Sequence, residues 1–440
     1  MASALRRFVV AASVALACAH AAQATDLGQA FRDAFANDAA LQSVRAQLAA
    51  TREKVTQARA GLLPGVAATG TLSHQLVDTS AAPSREFTGQ NYAVSLSYPL
   101  YRLQNVEAYE QSKLSVVLTE AQEAQAEQDL ILRVSQAYFD VLAAQDNVAT
   151  IRAQKRAITE QLASAKRNFE VGTATITDQQ EAQARFDLSV AQEFAALNDL
   201  EVRRSALSQL TGKPVGNLNT LRSGVALQPP QPARESDWIA GARDANLLVR
   251  QAKIASEIAA REIDRQRYAQ RPTLDVTGSI GHSRNGSSSS VGVSATSAAI
   301  GLQFNMPLYT GGAIDARVRE ALALREKSAF DLENARRQAE QGARQAFLGV
   351  NSGLAQVSAL EAAEKSSQLA LDSNLLGYQV GVRINIDVLN AQQQLFTTRR
   401  DLAKARYDVL VNGLRLKSLA GALGEDDLRV VNALLEAPKN

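Results

Sequence analysis

The sequence predicts a mainly α-helical protein with a small set of membrane-type β-strands, the whole plan occurring twice in one chain. Three observations carry this prediction: an internal repeat, helices too long for a globule, and strands with a clean two-residue alternation. The repeat comes first, because a fixed period decides how the rest is read. Tyr98-Pro99-Leu100-Tyr101 returns as Met306-Pro307-Leu308-Tyr309, and Phe169-Glu170-Val171-Gly172 returns as Tyr378-Gln379-Val380-Gly381. Pro64 answers Pro272, His74 answers His282, and Leu210-Thr211-Gly212 answers Leu419-Ala420-Gly421. The offset is 208 positions through Pro99 and Pro307 and 209 from Phe169 and Tyr378 onward. Each copy reads helix, strand, strand, very long helix, shorter helix.

The N-terminus predicts an address. Arg6 and Arg7 precede an apolar run from Phe8 to Ala19, and Ala22-Gln23-Ala24 forms a small-residue cleavage pattern. This is a secretory signal peptide over 1–24, too short to serve as a membrane anchor. Ala15-Leu16-Ala17-Cys18 offers an alternative lipoprotein cleavage site, with Ala15 where a leucine is normally required. Cleavage after Ala24 removes Cys18, the single cysteine, so the mature chain owes nothing to disulfides or thiolates. It also removes two arginines from 47 basic residues and leaves a balance with the 45 acidic ones. No basic excess argues for nucleic acid. No later stretch has the 18 or so apolar residues of a membrane helix, so entry into a membrane must be by strands.

From Arg102 to Val171 the sequence has no Gly or Pro, a run that reaches about 100 Å as a helix. Ile131, Val134, Tyr138 and Val141, then Ile158, Leu162, Ala165 and Phe169, keep the 3-4 rhythm of a coiled-coil seam. A solvated coiled-coil stalk satisfies that periodicity equally well. The second copy, Ala313 to Leu376, includes Gly342, Gly349 and Gly353 and should be less regular there. Gly172 and Gly381 stand where a helix end wants a left-handed residue. Thr177 with Gln180 reads as a capping box and Asn385 as an N-cap. Returning helices are placed at about 182–211 and 387–419, and opening helices at about 26–62 and 236–270.

Strands are predicted at about 64–76, 90–101, 272–282 and 298–309. Tyr92, Val94, Leu96, Tyr98 and Leu100 point one way, while Ala93, Ser95 and Ser97 point the other. Ile300, Leu302, Phe304, Met306 and Leu308 alternate with Gly301, Gln303 and Asn305 in the same manner. A soluble sandwich with one buried face fits this pattern, and so does an outer-membrane barrel, whose strands have about ten residues. The links Val77–Thr88 and Ser283–Ser297 read as exposed hairpin loops. Four strands cannot close a barrel with an open lumen, so membrane insertion requires several copies of the chain.

No catalytic or metal site emerges. Thr211-Gly212-Lys213 lacks the upstream glycine and following Ser/Thr of a phosphate loop, and no G-x-S-x-G occurs. His74 and His282, the two histidines left after signal cleavage, read as repeat-equivalent strand residues. No cofactor is called for.

The signal, the duplicated plan, the run Met306-Pro307-Leu308-Tyr309-Thr310-Gly311-Gly312 and the Val-Gly turns together resemble the TolC family of outer-membrane export channels. The resemblance covers about 26–430. It implies a homotrimer whose twelve-stranded outer-membrane barrel continues into a periplasmic α-helical tunnel. It divides the chain into a first repeat at 25–212, a linker and equatorial segment at 213–235, a second repeat at 236–421 and an equatorial tail at 422–440. The partners it implies are outer-membrane lipid, a periplasmic adaptor (a membrane fusion protein) and an inner-membrane transporter of the ABC, RND or MFS type. The cargo is protein or small toxic molecules. By the family's motif, Asp178, Tyr378 and Arg383 are expected to form a periplasmic gate, with Arg383 bridging to a carboxylate such as Asp178 on a neighbouring helix pair. Asp387 is expected to form an acidic ring at the tunnel mouth, with Asn390 where some members carry a second aspartate. Read without the family, Asp178 and Asp387 are first-turn carboxylates that complement a helix dipole, and Arg383 is a solvated turn residue.

Overall fold

A computed structural model describes residues 25–80, 82–222, 224–284 and 293–437. The segment read as a signal peptide, with Cys18, lies outside the described residues, as does part of the second hairpin link. The first copy comprises α1 (Leu27–Asn37), α2 (Ala39–Ala60), β1 (Gly65–Thr79), β2 (Ala82–Tyr101), α3 (Leu103–Glu170) and α4 (Ile176–Thr211), followed by β3 (Thr220–Leu221). The second comprises α5 (Glu235–Ala245), α6 (Leu247–Arg267), a 3-10 turn (Tyr268–Gln270), β4 (Thr273–Arg284), β5 (Ser294–Asn305), α7 (Ala313–Gln379) and α8 (Asn385–Leu419), followed by α9 (Glu425–Asn432) and β6 (Leu435–Glu436). No described helix is long and apolar enough to cross a membrane.

Each opening helix is broken where the sequence reading ran through. The breaks fall at Asp38 and Asn246, which are repeat-equivalent at the 208 offset. Asp38 leaves helical geometry, accepts the Leu41 amide at 2.8 Å and takes a bidentate grip from Arg133 at 2.9 and 3.1 Å. The Arg133 hydrogen bonds hold its carboxyl below the usual range, against the effect of burial. Asn246 instead donates its side-chain amide to the Leu419 carbonyl at the end of α8.

Contacts divide the chain into two units, each drawing on both repeats: one of Met1–Gln42, Gln125–Asn246 and Arg337–Asn440, the other of Ser43–Ala124 and Leu247–Arg336. In the first unit the largest core joins Leu27 and Phe31 of α1, Val134, Tyr138 and Phe139 of α3, Leu207 of α4 and Leu414 of α8. The tails after the two repeats meet here, β3 pairing antiparallel with β6 through Leu221 and Leu435. Tyr407 stacks on Phe139 and donates its hydroxyl to the half-buried Asp146 carboxylate at 2.6 Å. Burial pushes the Asp146 carboxyl up, and the Tyr407 hydrogen bond only partly opposes this. The seam residues of α3 are buried as the 3-4 rhythm requires, except Phe169, which is exposed. The expected irregularity in α7 is absent. A Cβ at Gly353 would stand 2.7 Å from Val409 Cγ2, so this glycine admits α8 at close range rather than loosening α7.

The second unit holds a four-stranded antiparallel sheet in the order β1-β2-β4-β5, leaving β1 and β5 as its edges. Its register aligns one face across all four strands. Val66, Leu96, Gly278 and Ile300 form one row, and Ala68, Val94, Ile280 and Ala298 the next. This apolar face is open, with Val66 70% and Ile300 82% exposed. Rows of small and polar side chains, such as Ala67, Ser95, Ser279 and Ala299, line the other face.

The strands differ from the sequence reading at their ends. β1 has 15 residues and β2 has 20, so the first link is paired strand almost to its tip rather than loop. Leu100 falls in a register shift between Pro99 and Tyr101, and Tyr101 takes the place opposite Leu274. A bulge beside a proline, which has no N–H to pair, is the physical reason. β5 ends at Asn305, so Met306 and Leu308 are not in the strand. At the same end of the sheet Arg102 holds Asp275 through two hydrogen bonds, at 2.8 and 2.6 Å.

Ion pairs join helices of the second unit, beside buried side chains such as Leu48, Ala121 and Ile254. Arg45 pairs with Glu123 and Arg261 with Glu107, both at 3.2 Å. Glu262 accepts hydrogen bonds from Arg265, Gln111 and Gln266. Burial works to raise its pKa, but these donors win and hold it at about 2.

Candidate functional site

The site expected from the sequence lies at the two helix turns, α3 to α4 and α7 to α8, both in the first unit. Each turn is made by a left-handed glycine, Gly172 at φ 75° and Gly381 at φ 77°. In the first turn the Thr173 amide reaches back to the Asn168 carbonyl at 2.8 Å, and in the second the Val382 amide reaches Gly377 at 2.9 Å. A side chain at either glycine would force a backbone that L-residues rarely adopt.

The caps differ from those read in the sequence. Thr175, not Thr177, is the N-cap of α4, and it forms a reciprocal capping box with Asp178. Asp178 Oδ2 accepts from the Thr175 amide at 2.9 Å and from its hydroxyl at 2.7 Å. Helix α4 therefore starts at Ile176 rather than near residue 182. In the second turn Ile384 occupies the N-cap position without a side-chain bond, and Asn385 is already helical.

Asn385 instead links the turns. Fully buried, it donates to the backbone carbonyl of Asp178 at 3.0 Å and accepts from the Gln161 amide at 2.6 Å. Asn168 donates to the Tyr378 hydroxyl at 3.2 Å. Arg185 donates to Asn390 at 3.0 Å and also to Gln393. Beneath these contacts lie Ile158, Leu162, Ala165, Ala182 and Leu389.

Within one chain the structure does not bring Arg383 to Asp178. Arg383 Nη1, in the turn, lies 3.6 Å from Asp387 Oδ2 in the first turn of α8, with Arg383 exposed and Asp387 half-buried. Gly377 makes room for the Arg383 stem, since a Cβ there would come within 2.7 Å of Arg383 Cγ. Asp178 and Asp387 both sit in first turns, where the helix dipole favours a carboxylate. The turn thus presents Tyr378 and Arg383, and each helix start presents an acid. Chemically this arrangement can make and break ion pairs with a neighbouring copy. Among the described residues no group of three or more His, Cys, Asp or Glu is placed to hold a metal.

Sequence reasoning missed Gln161, Asn168 and Arg185, and read Asn385 only as a cap. The signal that could have found them is the comparison between repeats. Asn385 stands where the first copy has Ile176, and Gly377 where it has Asn168, so the two turns are made different at the positions that touch.

Comparison with known proteins places the chain. The model of the outer membrane efflux protein family matches residues 30–213 and 238–422, one match for each repeat. The chain is 32% identical over 419 residues to the outer membrane protein TolC of Vibrio cholerae, covering 94% of this chain and 95% of that protein. It is 30% identical over 409 residues to the alkaline protease secretion protein AprF of Pseudomonas aeruginosa, covering 91% of this chain and 85% of that protein. Crystal structures of CusC superpose with a TM-score of 0.80 at 19% identity, over 90% of this chain and 92% of that one. The outer membrane protein VceC from Vibrio cholerae gives a TM-score of 0.77 at 18% identity, over 90% and 96%. The chain belongs to the outer membrane efflux protein family, and it is an outer-membrane export channel. That membership sets aside the solvated coiled-coil stalk as a reading of the whole chain, and it gives the open apolar face of the sheet a place to go.

Proposed function

We propose that three copies of this chain close a twelve-stranded barrel in the outer membrane, continuous with a helical tunnel in the periplasm. This duct passively releases substrates delivered by an inner-membrane transporter through a periplasmic adaptor. The observation that carries the reading is the four-stranded sheet with two unpaired edges and one exposed apolar face. Edges cannot be left open in hydrocarbon, so β5 of one copy pairs with β1 of the next. The apolar face then meets lipid and the face with Ser95 and Gln303 lines the lumen. Similarity to AprF favours polypeptide cargo and a type I arrangement, in which the transporter is of the ABC class; RND and MFS partners are the alternatives.

In the trimer Arg383 of one copy faces a carboxylate such as Asp178 on an adjacent helix pair, and Tyr378 closes beside it. The gate holds until a docked partner binds the open arrangement better. Asp387 from three copies forms a ring that attracts cations to the mouth.

The test is in planar bilayers with the purified full-length protein. The account expects cation-selective channels of low conductance, and Asp387→Ala should weaken both cation selectivity and block by multivalent cations. Absence of any channel activity from a heat-modifiable, membrane-extracted protein would contradict the duct.

A further inference from the structure

His74 and His282, the only histidines among the described residues, make the same contact in the two repeats. His74 Nδ1 lies 3.3 Å from Thr88 Oγ1, and His282 Nδ1 lies 3.0 Å from Thr296 Oγ1. In each case the threonine is the directly opposite residue on the next strand, fourteen positions on. Both imidazoles are on the apolar face. On β1 that face runs Val66, Ala68, Gly70, Leu72 and then His74; on β4 it runs Val276, Gly278, Ile280 and then His282. Each histidine is therefore the first polar side chain above the apolar run of its strand. From Val66 to His74 the strand climbs about 26 Å before tilt, close to the height of an outer-membrane apolar band.

The rows around His282 present hydrogen-bond donors. Tyr92 is its partner across to β2, and Arg284 follows on the same face, opposite Gln90. Glu86, an acid on this face, lies further toward the hairpin tip, opposite Leu76. A sandwich core would not end in this way. A lipid-facing surface would, at the depth where acyl chains give way to phosphates.

We propose that the His74–Thr88 and His282–Thr296 pairs, with Arg284, form a binding band for the phosphate groups of outer-leaflet lipid headgroups. This rests on the trimeric barrel reading, which turns the apolar face to lipid and repeats the band around the circumference. The threonine hydroxyl donates to Nδ1, which places the ring proton on Nε2. Nε2–H then points a fixed donor at the headgroup layer. A phosphate oxygen accepts from Nε2 and, beside β4, from the Arg284 guanidinium as well. The band would fix the depth of the barrel in the membrane, a task that Thr–His pairs in the lumen could not perform.

The test is native mass spectrometry of the purified full-length protein in detergent micelles carrying lipid A, the phosphorylated glycolipid of the outer leaflet. The wild type is expected to retain phosphorylated lipid A and to lose it when the dephosphorylated form is substituted. His74→Ala with His282→Ala should lower retention about tenfold, the effect of losing charge-assisted hydrogen bonds. His74→Arg with His282→Arg should restore it. Inorganic phosphate should not compete, because the headgroup is held by its acyl chains as well as by its charge. Equal retention by the alanine variant, equal retention of dephosphorylated lipid, or displacement by inorganic phosphate would each overturn the proposal. Heat-modifiable migration and conductance, read on the same samples, separate the two levels of the account. If they are normal while retention is unaffected by substitution, only the headgroup band fails. If the wild type forms no heat-modifiable oligomer, the barrel reading fails and the band with it.

Discussion

Asn385 donates its side-chain amide to the backbone carbonyl of Asp178 at 3.0 Å, so one buried side chain ties the start of α8 to the start of α4. Its oxygen is used as well, by Gln161 at 2.6 Å. Both repeats end their long helices at the same glycine, yet the tie runs in one direction only. Asn385→Ala removes the link to the Asp178 carbonyl and leaves the buried Gln161 amide without its acceptor, at a cost of about 1–3 kcal/mol. Hydrogen exchange in the two turns should accelerate accordingly while the sheet stays protected. Unchanged exchange at the turns would show that the tie carries no stability.

The gate makes a separate prediction. A single exposed ion pair contributes only about 0–1 kcal/mol, and Arg383 with Asp387 is such a pair within one chain. Threefold repetition in a constricted mouth strengthens the set without putting it beyond a docking partner's reach. Arg383→Ser with Tyr378→Phe is expected to raise single-channel conductance, with β content by circular dichroism unchanged. Wild-type conductance in this double variant would return both residues to the role of solvated turn residues.

Strand phase is tested by lysine substitution on the two faces. At Ser95 or Gln303 it should be tolerated, since both positions are on the polar face. At Leu96 or Leu302 it should block assembly, because lysine on a lipid face at mid-bilayer costs about 2–4 kcal/mol in each copy. Equal yields of assembled protein from the two sets would mean that the faces are reversed or that neither meets lipid.

The Asp146–Tyr407 pair gives a pH dependence with a definite sign. Burial raises the Asp146 carboxyl above its ordinary value of 3.8, so folding favours its protonated form. The resulting stability is full below the unfolded value and is lost as pH rises through the higher folded value. Asp146→Asn keeps an acceptor for the Tyr407 hydroxyl and removes the charge. It should leave stability at neutral pH equal or greater, and flatten the loss between mildly acidic and neutral pH. Thermal melts across that range check it, and a steeper loss in the variant would reverse the assignment. Tyr407→Phe should destabilise at neutral pH, because it strips the carboxylate of its hydrogen bond.

Much of the fold was legible because long helices and strands announce themselves by period. The seam at Val134 and Tyr138, the turn glycines and the alternating face of β2 all follow from spacing alone. Several of the failures share a cause: they were decided by partners distant in sequence. Asp38 breaks a helix because Arg133, on another helix, grips it. Gly353 fits a regular helix because Val409 needs the space. Leu100 leaves its face because β4 pairs past it. At the site, the glycines and first-turn acids were visible, whereas Asn385 read as a cap until Gln161 and the Asp178 carbonyl were found beside it. The interchain partner of Arg383 belongs to the assembly, and a single chain carries no pattern that names it.

The central claim is that one chain supplies a third of a barrel. Its most direct test is the mass of the purified, membrane-extracted protein in mild detergent, measured with its β content. The account expects a complex of three chains, with dissociation and loss of β structure occurring together, since β1 and β5 are edges until copies meet. A stable, folded monomer that keeps its full strand content in the membrane would contradict it.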